Sequence, residues 1–244
     1  MSSNFLFPFT EEHEMIRQTA REFAEKEIAP IAAEFDESGE FPYDTIMKMG
    51  EMGFMGIEVA EEYGGVEMDT LSYVLALEEI SKVDASHGII MSVNNSLYCY
   101  GIQKFGTEEQ KQRWLPDIIA GRTTVCFGIT EPDAGLDTGS IRTMADKSGN
   151  GYVINGKKIW TSTAARADKI LLLARTSAYD KAAGHTRGLS LFYTDLNRDY
   201  VQVREIEKMG RAAVDSNEVF IDGLPVPLDD RIGEEGEGFR YLLH

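Results

Sequence analysis

The stretch FGITEPDAGLDTGS, residues 127–140, lies where the chain changes from one kind of structure to another. Residues 123–130 are rich in β-branched and aromatic side chains, a pattern that predicts a strand. The small and polar residues that follow would let backbone N–H groups approach a planar ring or a phosphate. Composition alone nevertheless favours the plainer interpretation, an ordinary connection from a strand to a loop.

Helical patterns fill the chain before this stretch. Thr10 and Asp69 can each cap a helix, and Thr107 has Gln110 at the capping-box spacing. Apolar residues at helical spacing follow these caps, and a further helix is expected over residues 90–105.

Short strand-like segments and turns fill the chain after Gly121. Five to seven strands with no helix between them indicate an antiparallel β domain, a barrel or a sandwich, and disfavour a parallel βαβ arrangement. The hairpin-type dipeptides Asn150-Gly151 and Asn155-Gly156 flank one of these segments, so a tight turn is expected at each.

Residues 233–244 change the pattern again. Three glycines precede the run FRYLLH, residues 239–244, which looks like the beginning of a helix. A helix shorter than two turns is not stable alone, so we expect the chain to stop at the start of a further region. The sequence therefore predicts an α+β protein with a helical N-terminal domain over residues 1–122 and an antiparallel β-barrel or sandwich domain over residues 123–232. Residues 233–244 would be the start of a truncated C-terminal helical bundle.

Composition argues against several classes of partner. With a net charge of −17 and no basic cluster, the chain lacks the positive surface that nucleic acid or anionic lipid requires. No apolar run is long enough to cross a bilayer, and the N-terminus lacks the features of a signal peptide. The two cysteines, Cys99 and Cys126, have no metal-binding or redox spacing. We therefore expect a cytoplasmic protein, or a mitochondrial matrix protein in a eukaryote, with no membrane span.

Motifs for other chemistries are missing from the sequence. It has no G-x-G-x-x-G after a strand, no Walker lysine loop, no H-E-x-x-H and no G-x-S-x-G. The histidines share no ligand spacing, so no metal site is expected. They are His13, His87, His185 and His244.

A second segment, NGKKIWTS at residues 155–162, places a tryptophan directly before two hydroxyl residues. An indole can cover one face of an aromatic cofactor while a neighbouring hydroxyl bonds a ring nitrogen. Taken alone, this segment is better explained by a core tryptophan on a strand.

The two segments together, in this order, resemble those of the acyl-CoA dehydrogenase family. Further phrases match in the family's order: EYGG at residues 62–65, FGTEEQK at 105–111, KMG at 208–210 and GEEGEGF at 233–239. Several phrases in the right order are far more specific than any one of them, and the resemblance runs from about Phe9 to the end. It reverses the plainer interpretation of both segments.

Membership of that family implies a flavoprotein oxidoreductase that binds FAD. The resemblance assigns cofactor contacts to Phe127, Gly128, Ile129, Thr130, Leu136, Trp160, Thr161 and Ser162. Ile129 and Thr130 would meet the pyrimidine edge of the flavin through backbone and hydroxyl groups. Trp160 would stack beside the isoalloxazine, and Ser162 would replace a family threonine that bonds flavin N5.

Leu136 departs from the family, which usually has a serine or threonine at that position. The hydroxyl group bonds near the cofactor and the acyl-CoA, so Leu136 is also a substrate-binding position by resemblance. Leucine cannot make this bond, and the loss of one hydrogen bond costs on the order of 1 kcal/mol.

The implied reaction is α,β-dehydrogenation of an acyl-CoA thioester in fatty acid or amino acid catabolism. Hydride passes to FAD N5, and electron-transfer flavoprotein reoxidises the cofactor. In the family a glutamate of the C-terminal domain removes the α-proton, at positions beyond residue 244, so no catalytic residue is assigned here. Glu131 is expected only to hold its loop through backbone bonds. Relatives are usually homotetramers, and the 244-residue chain alone is expected to bind FAD poorly.

Two other functions stay open from the sequence. One is a flavin- or acyl-CoA-binding protein without turnover. The other is an oxygen-using flavin oxidase or monooxygenase of the same fold. The sequence downstream of residue 244 and the preferred electron acceptor would separate them.

Overall fold

The computed structural model describes residues 9–179 and 186–243. The helices of the first part are α1 (Glu11–Phe23), α2 (Ala32–Ser38), α3 (Tyr43–Glu51), α4 (Thr70–Val83), α5 (Ala85–Val93), α6 (Tyr100–Phe105) and α7 (Glu108–Ile119). The strands are β1 (Val125–Gly128), β2 (Met144–Ser148), β3 (Gly151–Ser162), β4 (Lys169–Arg175), β5 (Leu189–Asp195), β6 (Val201–Glu205), β7 (Ser216–Pro227) and β8 (Arg231–Ile232). A short helix, α8 (Gly238–Tyr241), follows them. The predicted order, helices before strands, is confirmed.

The three predicted helix caps are present. The side chains of Thr10, Asp69 and Thr107 accept hydrogen bonds from the third amide of α1, α4 and α7, at 3.2, 2.8 and 3.3 Å. Each bond satisfies a backbone donor that the first turn of a helix leaves free, which is why these starts can be recognised from the local sequence. Across residues 9–179 and 186–243, no helix combines the length and apolar character that a membrane crossing requires.

The helix expected over residues 90–105 is interrupted by a π-helical turn, Asn94–Cys99, between α5 and α6. Two buried asparagines in this turn bond to a distant segment. Asn95 accepts a hydrogen bond from the Ile57 amide at 2.9 Å, and Asn94 donates one to the Met55 carbonyl at 2.6 Å. The interruption therefore serves tertiary bonds that helical spacing does not reveal.

The sheet is mixed and open. Its strands lie in the order β6-β7-β3-β2-β4-β5-β8, with β1 beside β4. Neighbouring strands run antiparallel except that β1 pairs parallel with β4 and β2 has one parallel pairing with β4. The described strands thus form an open mixed sheet, whereas an antiparallel barrel or sandwich was expected. The difference arises because β1 pairs in parallel with β4, the third strand after it in the chain.

Strand β4 is buried on both faces, which explains its unbroken apolar run. Leu171 and Leu173 belong to a core that the sheet shares with α6 and α7. Ile170 and Leu172 belong to a second core, formed with residues of β3 and β7. Successive side chains of a strand point to opposite faces, and a fully buried leucine contributes about 1.5–3 kcal/mol. Strand β4 therefore anchors the sheet to the helices.

The tight turn predicted at Asn155-Gly156 is wrong. Both residues lie inside β3, at a shift of its register against β7. The Asn155 side-chain oxygen accepts a hydrogen bond from the Gly223 amide at 2.8 Å. A Cβ on Gly156 would lie 2.3 Å from the Thr143 hydroxyl oxygen, so the close approach of the chain leading into β2 requires this glycine. The other dipeptide lies at the hairpin between β2 and β3, as predicted.

Candidate functional site

The two segments singled out in the sequence lie side by side. The Ile159 amide donates a hydrogen bond to the Thr130 carbonyl at 2.9 Å, which joins the end of β1 to the middle of β3. The Lys158 ammonium adds a second link, because it donates to the Ile129 carbonyl at 2.9 Å. Residues 127–130 and 160–162 therefore form one continuous wall.

Phe127 and Ile129 are half-buried and pack against the core between the helices and the sheet. Together with Leu97, Tyr100 and Leu242 they line a largely apolar cavity of about 120 Å³. The cavity lies between the π-helical turn, the end of β1 and the segment after α8. It provides largely apolar space, partly open to solvent, next to the wall.

Gly128 and Thr130 differ in their access to solvent. Gly128 is buried, and a Cβ there would lie 3.0 Å from the side chains of Ile170 and Leu172. Any contact from Gly128 to a ligand would be made by its backbone. Thr130 is half-buried, and its carbonyl is already used in the bond to β3.

Trp160 is not a core residue. Its side chain is 59% exposed, which removes the plainer interpretation of the second segment. It has a left-handed backbone conformation, φ 61°, and lies where β3 shifts register against β7. A bulky residue in this conformation carries strain on the order of 1–3 kcal/mol, and such strain is typical of functional sites. Much of the Trp160 surface is therefore open to solvent at a strained position of β3.

Thr161 and Ser162 face different directions. Thr161 is 1% exposed, and its buried hydroxyl has no hydrogen-bond partner within the described part of the chain. Its carbonyl accepts a bond from the Asn217 side chain at 2.9 Å. Ser162, two residues beyond Trp160, is half-buried and so keeps some access to solvent. The structure therefore leaves Trp160 and Ser162 accessible and buries the Thr161 side chain.

Leu136 projects into solvent from the loop after β1. Its exposure is 108%, so its side chain makes no appreciable contact with the rest of the described chain. An exposed leucine is unremarkable by itself. The structure does not bring its side chain against Trp160 or Ser162.

The loop that carries Leu136 is held at its start by Glu131. This carboxylate accepts hydrogen bonds from the Arg142 amide at 2.8 Å, the Thr143 amide at 2.9 Å and the Thr143 hydroxyl at 2.6 Å. The predicted role of Glu131, holding the loop through backbone bonds, is confirmed. It also pairs with Lys158 at 2.9 Å, and the side chains of the pair are only 8% and 0% exposed.

The electrostatics of this pair follow from its burial. Burial raises the pKa of Glu131, but the Lys158 ammonium and the bonds from Thr143 and Arg142 outweigh it and leave the pKa below its ordinary value. Burial lowers the pKa of Lys158 to about 8, against the opposing effect of Glu131. The pair is ionised at neutral pH, and its charges satisfy groups under the wall instead of facing a ligand.

Arg175 holds the other end of the loop. Its guanidinium donates hydrogen bonds to the carbonyls of Gly139 at 2.7 Å, Ile141 at 3.0 Å and Arg187 at 3.0 Å. The side chain is among the largest fully buried ones in the described chain. Sequence analysis missed both Lys158 and Arg175, because a strand residue that is buried by distant segments looks like any other charged residue.

Other reactive side chains lie away from the wall or are inert. Both cysteines are buried and free, and burial raises the pKa of each thiol well above its usual range. His13 contacts Asp69 at 3.0 Å and His87 contacts Asp84 at 2.5 Å, while His185 and His244 lie outside the described residues. Within residues 9–179 and 186–243, no cluster of three acidic, histidine or cysteine side chains is arranged to hold a metal.

Models of known families match both parts of this fold. The N-terminal domain of acyl-CoA dehydrogenase matches residues 10–122, and the middle domain of acyl-CoA dehydrogenase matches residues 126–224. The first match covers the helices and the second covers most of the sheet. The chain belongs to the acyl-CoA dehydrogenase family.

Individual relatives agree with this assignment. The chain is 42% identical over 238 residues to the short-chain specific acyl-CoA dehydrogenase of Clostridium acetobutylicum, a match that covers 97% of this chain and 62% of that protein. A chain from the structure described as the electron transferring flavoprotein of Acidaminococcus fermentans has a TM-score of 0.90 and 41% identity, covering 98% of this chain and 62% of that one. A glutaryl-CoA dehydrogenase of Mycobacterium smegmatis in complex with FADH2 has a TM-score of 0.86 and 28% identity, covering 96% and 58%. This chain thus spans about three fifths of the length of the proteins that it matches.

Proposed function

We propose that the protein binds FAD and catalyses the α,β-dehydrogenation of a short-chain acyl-CoA thioester. The observation that carries this proposal is the bond between the Ile159 amide and the Thr130 carbonyl, 2.9 Å long. This bond joins the two segments to which the resemblance assigns flavin contacts, which supports a ring that lies against both of them.

The residues present on the wall fit an isoalloxazine ring. Trp160 offers an indole that is 59% exposed and held in a strained conformation, and a planar aromatic cofactor is a suitable partner for such a face. Ser162 is half-buried two residues further on, and its hydroxyl would donate to a ring nitrogen. Ile129 and Thr130 offer backbone groups at the end of β1. When bound, FAD would supply the hydride acceptor.

The roles of these residues follow from their positions. Trp160 would fix the plane of the ring, and Ser162 would orient its reactive edge. Groups of Ile129 and Thr130 that face the pyrimidine edge would stabilise the negative charge that develops there, since preorganised donors do so most effectively where water is excluded. The Glu131–Lys158 pair would keep this wall rigid from beneath, 2.9 Å apart and out of solvent.

The cavity beside the wall supports a short acyl group. It measures about 120 Å³ and is lined mainly by apolar side chains, including Leu97, Tyr100 and Leu171. A hydrocarbon chain gains about 0.8 kcal/mol for each buried CH₂, and a cavity of this volume has room for only a short chain. The 42% identity to a short-chain specific enzyme supports the same substrate class.

The proposal extends to the electron acceptor. A chain in a structure described as an electron transferring flavoprotein is among the matches, with 41% identity. We therefore propose that such a flavoprotein reoxidises the reduced cofactor. The predicted compartment, the cytoplasm or the mitochondrial matrix, stays a prediction.

The test uses the protein as its gene encodes it. It is purified, its flavin absorption is recorded, and acyl-CoA thioesters of increasing length are added under anaerobic conditions. Bleaching by butyryl-CoA in preference to octanoyl-CoA or branched and aromatic thioesters is the expected result. Ser162→Ala is a test variant of the wall, and it should slow bleaching without unfolding the protein. A colourless protein, or flavin that no thioester bleaches, would overturn the proposal. Rapid reoxidation of the reduced flavin by oxygen alone would show that oxygen, and not an electron-transferring flavoprotein, is the acceptor.

A further inference from the structure

Two residues, one near the end of β3 and one directly after it, lie in the left-handed backbone region. Trp160 has φ 61° and Thr163 has φ 65°. Neither is glycine, and a β-branched residue such as threonine is especially uncommon there. Conformations of this kind persist only where the surrounding structure over-determines them. Some group must therefore hold the backbone on both sides of Ser162.

Asp215, the residue before β7, holds the turn that follows Ser162. Its carbonyl accepts a hydrogen bond from the Thr163 amide at 3.0 Å. Its carboxylate accepts from the Ala165 amide at 3.1 Å and from the Arg166 guanidinium at 2.9 Å. Asp215 is only 1% exposed, so these bonds are shielded from water and are stronger than surface bonds of the same kind.

Asn217 extends this hold to the residue before Ser162. Its side-chain amide donates to the Thr161 carbonyl at 2.9 Å and also to the Asp215 carboxylate. The Thr163 amide is thus held by the backbone carbonyl of Asp215, and the Thr161 carbonyl is held by the Asn217 amide, which the Asp215 carboxylate orients. Ser162 lies between these two anchored backbone groups, and Trp160 lies immediately before them.

The same carboxylate is connected to the helical part of the chain. Arg166, which is paired with Asp215, donates a second hydrogen bond to the Gly39 carbonyl at 2.8 Å. The Asp36 carboxylate accepts from the Ala212 amide at 3.1 Å nearby. The corner of β3 that carries Trp160 and Ser162 is therefore fixed to the end of α2 as well as to β7.

We infer that Asp215 is a positioning residue that sets Trp160 and Ser162 in place for the flavin. The inference rests on the proposed function, because it assigns a purpose to the geometry that this carboxylate imposes. Asp215 is buried and is not a catalytic residue. Its carboxylate acts on the backbone before Ser162 through Asn217, and on the turn after Ser162 through the Ala165 amide and Arg166.

Asparagine at position 215 provides a sharp test. Asp215→Asn keeps the shape of the side chain but has one acceptor oxygen and two added donor hydrogens. It cannot accept from the Ala165 amide, the Arg166 guanidinium and the Asn217 amide together. The Asp215 backbone carbonyl still holds the Thr163 amide, but Asn217 and the turn after Ser162 lose part of their support, and the indole should become more mobile.

The ligand-free readout uses the fluorescence of Trp160 in the 244-residue chain, which has two tryptophans. Trp114→Phe leaves Trp160 alone, and it removes no hydrogen bond, since the Trp114 ring nitrogen has no partner within the described residues. In this background we expect Asp215→Asn to raise acrylamide quenching of Trp160 about twofold. Asp195→Asn is the matched control, because the Asp195 side chain is 77% exposed, and it should leave quenching unchanged.

The ligand readout uses the protein as its gene encodes it. We expect Asp215→Asn to weaken FAD binding by about tenfold or more and to shift the flavin midpoint potential, because buried bonds to a charged group are lost. The control variant should change neither. Arg166→Gln removes one partner of the carboxylate and should change quenching and FAD affinity in the same direction by a smaller factor, which keeps the inference testable if Asp215→Asn does not fold.

Two outcomes overturn the inference. One is a loss of stability in Asp215→Asn or Arg166→Gln with Trp160 quenching and FAD affinity equal to those of the control. The other is a change in FAD affinity without any change at Trp160, which would mean that the carboxylate acts elsewhere. If the unsubstituted protein binds no FAD, the proposed function fails, whereas the acrylamide experiment still decides whether Asp215 holds Trp160.

Discussion

The Lys158 ammonium lies 2.9 Å from the Glu131 carboxylate, and both side chains are buried beneath the wall that β1 and β3 form. They are 27 positions apart in the chain. Adjacent in sequence, Lys157 pairs with Glu218 at 3.0 Å but is 38% exposed. The two neighbouring lysines are thus chemically identical and structurally opposite, which makes them a natural pair for measurement.

Lys158→Met should destabilise the protein by about 3–5 kcal/mol, because it leaves the Glu131 carboxylate buried without its counter-charge. Urea unfolding followed by circular dichroism measures the change. Lys157→Met is the control and should cost less than about 1 kcal/mol, as is usual for a pair that solvent screens. Equal losses in the two variants would contradict the structural assignment of Lys158.

We expect the ionised Glu79 carboxylate to account for part of the loss of stability of the fold in acid. Bonds from Arg21 at 2.9 and 3.0 Å, joined by Lys82, lower the pKa of Glu79 to about 2. Its folded pKa lies below the unfolded value, so its contribution to stability is present above pH 4.5 and is lost as pH falls toward 2. Because Arg21 is 39% exposed, solvent screens the pair, and we expect about 2 kcal/mol.

Glu79→Gln tests this contribution by urea unfolding at several pH values. The variant should be less stable than the unsubstituted protein at pH 7 and equally stable near pH 2, with a flatter curve between pH 4.5 and 2. Glu78→Gln, whose side chain is 55% exposed, is the control and should keep the original slope. A constant difference at every pH would show that the charge of Glu79 has no such role.

Gly156→Ala should destabilise the protein by about 1–3 kcal/mol, because its Cβ would lie 2.3 Å from the Thr143 hydroxyl oxygen and 2.7 Å from the Thr143 Cα. Thr143 cannot easily yield, since Glu131 holds its amide and hydroxyl. The control is Gly135→Ala, where a Cβ would meet nothing within 4 Å. That variant should be neutral or more stable by up to about 1 kcal/mol. Thermal unfolding of the two variants measures the difference, and equal stabilities would contradict the prediction.

Trp160→Ala should weaken FAD binding by roughly three- to tenfold, the range that an aromatic stacking contact provides. The same change should leave the free energy of unfolding within about 1 kcal/mol, because the indole is 59% exposed. Trp160→Phe retains an aromatic face and should restore most of the affinity. Flavin retained through gel filtration and titrated by fluorescence gives the comparison, and unchanged affinity in the alanine variant would remove Trp160 from the site.

Leu136→Ser should leave stability within about 0.5 kcal/mol, because the Leu136 side chain is fully exposed. Under the proposed function the new hydroxyl can hydrogen-bond the cofactor or thioester, which should tighten acyl-CoA binding by up to about fivefold, equivalent to about 1 kcal/mol. Isothermal titration with a short-chain acyl-CoA measures this. Leu228→Ser, at another exposed position, is the control. Weaker binding in Leu136→Ser would mean that the leucine itself contacts the ligand.

Several features could be predicted from sequence because their causes are local. The caps at Thr10, Asp69 and Thr107 each depend on a bond that reaches three residues along the chain. The change from helix to strand near residue 123 follows from side-chain type and alternation over a few positions. The two segments of the wall were found through the order of several phrases, which no single phrase would have supported.

Other features depended on which distant segments meet. Asn155 and Gly156 were expected to form a turn, but they lie within β3, where Thr143 approaches them closely. The π-helical turn exists because Asn94 and Asn95 bond to residues 55 and 57. Neither neighbour can be identified from spacing within the local stretch. Close approach and long-range bonds therefore overrode local preference in both places.

The sequence by itself determined the family, the succession of helices and strands, and the residue types available along the wall. Only the tertiary structure decided that Trp160 is exposed, that Lys158 is buried while Lys157 is not, and that Asp215 lies beneath the end of β3. The physical reason is that caps and alternation act within a few residues. Burial and pairing instead arise only when strands from separate parts of the chain are brought into register.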